Sequence, residues 1–585
     1  MNSFRQLRES FVNNRGLTLI SLWCLAFLAS SCTTAPSTPP DTGLDDLQRP
    51  PGGDMTVNLA APAPSVSTEA LAPLLEGIGP VHFPISTDVP KAQAYFNQAI
   101  TLAFGFNHAE AVRSFKEAAR RDPTCGICYA GVALALGPNI NAPMAPDAVA
   151  PAWAAVAQAL ARREFENPRE QAYIDAIATR YSETGTDRKA LDVIYAGSMS
   201  GLVDAYPDDL HARTLHAEAL MDLMPWEYWK DDGSPASQAT ETVVAELERV
   251  MSVDPKHPGA LHLYIHAMER FSPNKAVPAA DQLGSLVPVA GHLVHMPSHI
   301  YLRVGRYSDA VEANAKAALA DEDYIAQCNA QGLYPAAYYP HNIHFLWASA
   351  TMQGQSALSL DSARRVVANV RVEQVEQFPT IQFFRTVPML SLVRFAKWEE
   401  ILTEPEPYEP FSFARAIWHY GRGVAHAALG DTEAALAELA AIEQLEPDVD
   451  EIFMGNVYPA RDLLEIAKSL LRGEMAYRAG DAANAVLAFE EAVTLQDALP
   501  YTEPPFWYYP TRQSLGAALL ASDRVDEAQA VFEADLEQYP MNGWSMFGLA
   551  EALRRQGDEA GAEQMTARFE TVWQFADVSL ATSIL

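Results

Sequence analysis

The sequence has 585 residues, of which 49% are hydrophobic and 20% are charged, a composition typical of a globular protein. It contains 41 lysine and arginine residues against 74 aspartate and glutamate residues, which gives a formal net charge of −33. We expect such an acidic surface to be repelled by nucleic acids and by anionic membrane surfaces. Nucleic acid is therefore not an expected partner.

The first 32 residues have the features of a cleaved leader. Three arginines precede an apolar run from Leu17 to Ala29, which is too short to span a bilayer stably. Small residues then lead to Cys32. This arrangement resembles a bacterial lipoprotein signal, which implies that Cys32 carries the lipid and that the protein, with Thr33 next, is sorted to the outer membrane. We expect it to face the periplasm or the cell surface. Ordinary secretion with cleavage near Ala29 is the alternative.

Residues 33–75 are rich in proline, serine, threonine and alanine. Such a segment cannot bury enough apolar surface to become ordered, so we predict a disordered tether. The membrane would then be contacted only through the lipid anchor.

The rest of the chain carries a helical repeat. In a tetratricopeptide unit of about 34 residues, a small residue in the first helix is followed twelve residues later by alanine and then by a large apolar residue. Three C-terminal copies fit this spacing: Gly423 with Ala435, Leu439 and Pro447; Gly473 with Ala485, Phe489 and Ala492; Gly516 with Ala528, Phe532 and Pro540. Near the other end, half a unit is formed by Ala111, Phe115, Ala118 and Pro123. We predict an all-α tetratricopeptide-repeat (TPR) solenoid with one array over residues 76–400 and another over residues 401–585.

Several strings are not required by repeat packing: FGFNHAEA at Phe104, LGPNIN at Leu136, GHLVHMPSHIY at Gly291, YYPHNIHFL at Tyr338 and EPPFWYYPTRQSLGAALL at Glu503. Together they resemble a widespread bacterial family of TPR proteins, and the resemblance runs from about Phe96 to Gly557. It implies the fold and a common ancestry. It does not imply a reaction.

Eight of the 14 histidines lie between His257 and His344. Residues four apart project from the same side of a helix, and three consecutive repeats carry such closely spaced pairs. The pairs are His262 and His266, His295 and His299 (with His292 one turn earlier), and His341 and His344. Since the first helix of each TPR unit lines the concave surface, we expect these pairs to approach one another.

Clustered imidazoles predict a metal site, with zinc, copper or iron as the ion. The candidate ligands are His262, His266, His295 and His299, and also His292, His341 and His344. Glu269 is the candidate catalytic base or additional ligand. Leu263 stands where a zinc protease has its glutamate, which excludes that motif. The alternatives are histidines that only pack in the core, or that line a polar ligand pocket as hydrogen-bond donors.

Other polar and aromatic residues are candidates for ligand binding, although capping and packing are alternatives for each of them. They are His108, Asn139, Asn141, Asn342, Trp507 and Tyr508. Cys125 and Cys128 form a C-x-x-C at a helix start, where a redox role, a metal role or a disulfide are all open. No Walker loop, Rossmann glycine motif or G-x-S-x-G motif is present in the sequence.

Three functions follow from these patterns. The first is a lipid-anchored envelope protein that binds a partner protein, a peptide or a small ligand in its groove, with a histidine-rich metal centre. The second is a metal-dependent enzyme with hydrolytic or oxidative chemistry. The third is a purely structural assembly scaffold.

Overall fold

The computed structural model describes residues 70–328, 334–377, 379–449 and 458–585. The leader, Cys32 and most of the predicted tether lie outside these ranges. The described residues form α-helices joined by short turns, with a π-helix at Tyr334–Tyr338 and short 3₁₀ segments. None of these helices combines the length and apolar composition that a membrane span requires.

The helices up to residue 328 are α1 (Pro90–Phe104), α2 (His108–Arg121), α3 (Gly126–Leu136), α4 (Val149–Leu160), α5 (Pro168–Ala178), α6 (Arg188–Ala205), α7 (Leu210–Met221), α8 (Gln238–Val253), α9 (Pro258–Met268), α10 (Pro273–Leu283), α11 (Gly291–His295), α12 (Pro297–Arg303) and α13 (Tyr307–Cys328). The later helices are α14 (Tyr339–Met352), α15 (Ser356–Asn369), α16 (Val372–Gln377), α17 (Val387–Arg394), α18 (Trp398–Thr403), α19 (Ser412–Ala428), α20 (Thr432–Leu445), α21 (Ala460–Arg478), α22 (Ala482–Asp497), α23 (Arg512–Ala521), α24 (Val525–Gln538), α25 (Gly543–Gln556) and α26 (Glu559–Trp573).

Successive helices pack in pairs, and each pair stacks on the next. The repeat positions explain the close packing, because small residues let an aromatic ring enter the groove between helices. Phe532 of α24 is fully buried, and a Cβ atom at Gly516 of α23 would lie 2.3 Å from its ring. Gly473 and Phe489 repeat this contact at 2.3 Å. The predicted all-α TPR-type solenoid is therefore confirmed.

Buried apolar residues form two large clusters that overlap in sequence near α13 and α14. One extends from Ala72 to Tyr338 and the other from Ala318 to Ala552. Around residue 400, helices α15, α17 and α19 pack continuously. The core therefore continues through the predicted boundary between the two arrays.

The superhelix curls so that helices far apart in the chain contact one another. Helix α1 packs on α9, where a Cβ atom at Gly259 would lie 2.7 Å from the ring of Phe104. The indole Nε1 of Trp544 donates a hydrogen bond to the carbonyl oxygen of Thr351 at 3.3 Å. These long-range contacts bury the first helices of the middle repeats.

The cysteines among the described residues occur as one disulfide and one free thiol. Cys125 and Cys128 form a disulfide at the start of α3, and Cys328 is a buried free thiol. Of the three states that the C-x-x-C spacing left open, the structure has the disulfide.

Candidate metal centre

Three buried histidines from two helices form the first histidine cluster: His262 and His266 of α9 with His292 of α11. The Nε2 atom of His262 lies 3.1 Å from Nε2 of His292 and 3.1 Å from Nε2 of His266. Imidazole nitrogens that share a tetrahedral ion at about 2.0–2.1 Å lie about 3.3–3.4 Å apart. The separations in the first histidine cluster are close to that value.

His295 of α11, His299 of α12 and His341 of α14 form the second histidine cluster. The Nε2 atoms of His295 and His299 are 3.0 Å apart, and a ring nitrogen of His341 lies within 4.8 Å of both rings' ligand atoms. Pro297 lacks a backbone N–H and separates α11 from α12. Helix α11 thus contributes one ligand to each cluster, and helix α12 contributes His299 to the second cluster.

Outer hydrogen-bond partners orient the rings of His262 and His295. The Nδ1 atom of His262 lies 2.6 Å from the carbonyl oxygen of Phe104, and that of His295 lies 2.6 Å from Oδ1 of Asn314. The amide of Asn314 is itself fixed, because its Nδ2 donates to the carbonyl of Ala310 at 2.7 Å. An Nδ1–H that donates outward leaves the Nε2 lone pair facing the cluster, as metal-ligating histidines do.

Two carboxylates lie behind the second cluster. Nδ1 of His299 lies 2.7 Å from Oε2 of Glu269 and 3.4 Å from Oε2 of Glu503. Arg303 is 3.5 Å from the other oxygen of Glu503. Glu269 thus lies at the Nδ1 side of His299, where the ligand atoms of Glu269, His299 and Glu503 lie within 4.8 Å of one another, and it does not lie among the Nε2 atoms. Sequence reasoning missed Glu503, which is more than 200 residues away from Glu269 in the chain.

Burial keeps most of these imidazoles neutral. It lowers the pKa of His262 to about 3, and it lowers the pKa values of His266, His292 and His295 well below the usual range, with the neighbouring rings adding to the effect. For His299, burial acts in the same direction, but the carboxylates of Glu269 and Glu503 outweigh it and raise its pKa to about 9. Neutral imidazole is the form that binds a metal ion.

A buried aspartate links two of the ligand-bearing helices, α11 and α14. Asp321 of α13 accepts hydrogen bonds at 2.7 Å from Tyr334 and from Asn342, the neighbour of His341. The hydroxyl oxygen of Tyr334 in turn accepts the backbone N–H of His292 at 3.0 Å. Gly291 precedes that residue, and a Cβ atom there would lie 1.9 Å from Oδ1 of Asp321. The glycine of the GHLVH string is therefore required by this close approach.

Replacing Gly291 by alanine should destabilise the protein by about 1–3 kcal/mol, because the new methyl group overlaps the buried carboxylate of Asp321. Chemical denaturation measures the free energy of unfolding. Gly197→Ala in α6 is the matched control, since a Cβ atom there meets nothing within 4 Å. We expect the control to be stabilised by roughly 0.5–1 kcal/mol. Equal stability of Gly291→Ala and the unmodified protein would contradict this account of Asp321.

The structure separates the last predicted histidine pair. His341 belongs to the second cluster, whereas the ring of His344 stacks on Trp347 with centroids 4.9 Å apart and also contacts Phe383 and Phe384. Three residues along a helix turn the side chain by about 300°, which is enough to place the two rings on different neighbours. His344 therefore lies outside both clusters.

The remaining predicted site residues lie in other surroundings. Oδ1 of Asn139 accepts the backbone N–H groups of Asn141 and Ala142 at 2.9 Å, which forms a turn. Trp507 and Tyr508 are buried and pack with Tyr420.

His108 lies at the start of α2, next to the first cluster. Its ring lies 6.1 Å from the ring of Phe106, which in turn contacts the rings of His262 and His292 at 4.6 and 5.4 Å. Burial, aided by Arg180, lowers the pKa of His108 to about 4. Phe106 has a φ of 57°, a strained value for phenylalanine, and was not predicted from the sequence.

Comparison with known proteins adds little to these observations. No protein-family model matches the sequence, and no curated protein sequence matches it significantly. Among solved structures, the human IFIT1 dimer with m7Gppp-AAAA is 12% identical with a TM-score of 0.29, covering 83% of this chain and 91% of that chain. Yeast Tom70 is 12% identical with a TM-score of 0.26, covering 83% of this chain and 92% of that chain. These scores are too low to support any inference about function.

Proposed function

We propose that this protein is a metalloprotein whose superhelix holds transition-metal ions at the two histidine clusters. The observation that carries the proposal is the first cluster, in which Nε2 of His262 lies 3.1 Å from Nε2 of His266 and 3.1 Å from Nε2 of His292. Each cluster supplies three protein ligands, the number found in catalytic sites that keep one position open.

Hydrogen bonding among the rings is the competing explanation. It is adequate for the second cluster, where a doubly protonated His299 can donate to Nε2 of His295. It accounts less well for the first cluster. The Nδ1–H of His262 is committed to Phe104, so its single Nε2 lone pair faces two other Nε2 atoms at the same distance. A cation at the common point satisfies all three lone pairs.

The donor set narrows the choice of ion. Imidazole nitrogen suits zinc, copper, iron and nickel, whereas calcium and magnesium prefer oxygen ligands. The five histidines other than His341 are no more than 4% exposed. A peptide lying on the helices would not touch them unless the superhelix opened. We therefore assign these residues to an ion, and a protein or peptide partner remains a proposal for other surfaces of the superhelix.

The proposal is tested by elemental analysis of the full chain. The protein is purified without a histidine tag and dialysed against a weak chelator. We expect at least one transition-metal ion per chain, either as purified or after reconstitution with zinc, copper or iron. A chain that keeps none of these ions after reconstitution, while circular dichroism shows the native helix content, would show that the clusters are only hydrogen-bonded.

Lipid anchoring at the outer membrane also remains a proposal. We expect wild-type protein in a bacterial host to incorporate radiolabelled palmitate and to sediment with membranes, because the residues up to Cys32 resemble a lipoprotein signal. Cys32→Ser should abolish both the label and the sedimentation. If the label persists in Cys32→Ser, the anchoring residue has been assigned wrongly.

A further inference from the structure

We infer that the two histidine clusters form one dinuclear copper centre, which in its cuprous form binds dioxygen as peroxide. This inference rests on the proposed metal-binding function and deepens it. Three features of the site support it: the closeness of the two clusters, the charge of the ligand set and an adjoining cavity.

The clusters are neighbours because they share a helix. His292 of the first cluster and His295 of the second lie three residues apart on α11, which is about 4.5 Å along the helix axis. Their ring centroids are 5.8 Å apart, and those of His266 and His299 are 5.6 Å apart. The adjoining rings of the two clusters are therefore in contact, and ions bound at the two clusters lie close enough to share a small bridging ligand.

The charge of the site favours a monovalent ion. Once His299 has released its proton to bind a metal ion, the six imidazoles carry no charge, and the nearby carboxylates are those of Glu269, Glu503 and Asp321, with Arg303 opposing them. Placing uncompensated charge in a buried site is costly. Two zinc ions would bring four positive charges, whereas two cuprous ions bring two. Cuprous copper also binds to three imidazole ligands without needing a fourth ligand. Each buried cluster supplies three imidazoles.

Among the described residues no carboxylate lies with the Nε2 donors, and this distinguishes the proposed copper centre from a common type of iron site. Non-haem iron oxygenases bind their ion with two histidines and one carboxylate. Here the nearest carboxylate, that of Glu269, lies 2.7 Å from Nδ1 of His299, on the side of the ring opposite Nε2. Copper with all-histidine ligands fits the geometry better than iron.

A cavity of about 420 Å³ adjoins the second cluster and provides a route for a small molecule. Glu503 lines the cavity and also contacts His299, so this side chain lies between the cavity and a ligand ring. Arg270, Arg303 and Tyr501 form part of the remaining wall. Dioxygen is small enough to pass such a constriction when the side chains fluctuate.

The two cuprous ions supply both electrons that the proposed step requires. Each cuprous ion gives one electron to dioxygen and becomes cupric, so O₂ is reduced by two electrons to peroxide, which bridges the two ions. No proton is consumed, and no other reductant is needed. Loss of dioxygen reverses the electron transfer.

Anaerobic loading of the full chain with cuprous copper, followed by exposure to dioxygen, tests the inference. We expect two bound copper ions, uptake of one dioxygen per pair, an intense near-ultraviolet peroxide-to-copper band, and no cupric electron paramagnetic resonance (EPR) signal because the two spins are coupled. Two separate cupric signals without the band, or no reaction with dioxygen, would overturn it.

Histidine variants and zinc binding distinguish failure of the copper centre from failure of the proposed metal-binding function. His266→Ala and His341→Ala should each bind half as much copper, lose the band and give an EPR-visible cupric ion after oxidation. His344→Ala, which removes a buried ring of α14 outside the clusters, should behave as wild type. Binding of zinc but not copper would overturn the copper centre and leave the proposed metalloprotein intact. Binding of neither metal would overturn both.

Discussion

Replacing His266 by alanine should remove the metal ion of the first histidine cluster and leave that of the second. Its Nε2 lies 3.1 Å from that of His262, so the variant leaves two imidazoles at a site that needs three. Loss of an outer partner alone costs about 10–100-fold in metal affinity, and loss of a ligand should cost at least about 100-fold. Competition with a chromophoric chelator measures both affinities.

The matched control for this variant is His344→Ala. Both histidines are buried on first helices of the middle repeats, but the ring of His344 packs against Trp347 and Phe383. The control should bind the wild-type amount of metal even if it is less stable. Wild-type metal content in His266→Ala, measured beside this control, would remove His266 from the ligand set.

Truncating Phe532 to alanine should lower the free energy of unfolding by about 3–5 kcal/mol, the cost typical of removing a buried aromatic ring. The ring fills the groove between α23, α24 and α25, and Cβ atoms at Gly516 and Gly548 would lie 2.3 and 2.2 Å from it. Because the neighbouring helices stack on this pair, the cavity cannot collapse without shifting a repeat. Urea denaturation followed by circular dichroism gives the value.

Phe575→Ala controls for the chemical change. Its ring is 52% exposed, so the same substitution should alter stability by no more than about 0.5 kcal/mol. A loss below about 1 kcal/mol in Phe532→Ala would mean that the repeat interface does not depend on the aromatic position.

The fold could be predicted from local spacing. Gly516, Ala528 and Phe532 occur at fixed intervals because two helices must cross closely at that point, and this requirement acts within one unit of the chain. The disulfide between Cys125 and Cys128 was one of the states left open by their spacing. The closure of the superhelix, with α1 packed on α9, depends on contacts between distant repeats and has no local pattern.

The candidate site could be predicted only in part. Helical spacing identified His262 with His266 and His295 with His299, whose Nε2 atoms are close in each pair. Spacing could not show that His292 completes the first cluster, because that contact depends on how α11 packs against α9.

The same limit applies to the residues around the rings. Glu503, Asn314 and Asp321 are reached only through long-range packing, and nothing in their local sequence marks them as partners of histidines. His341 and His344 have similar local sequence surroundings, and only the positions of neighbouring helices separate their roles.

Crystallography of metal-loaded protein, with anomalous-difference maps recorded on either side of the metal absorption edge, tests the central claim most directly. We expect one peak in contact with Nε2 atoms of His262, His266 and His292, and a second peak beside His295, His299 and His341. Maps with no peak at either cluster, or with peaks only at surface carboxylates, would contradict it.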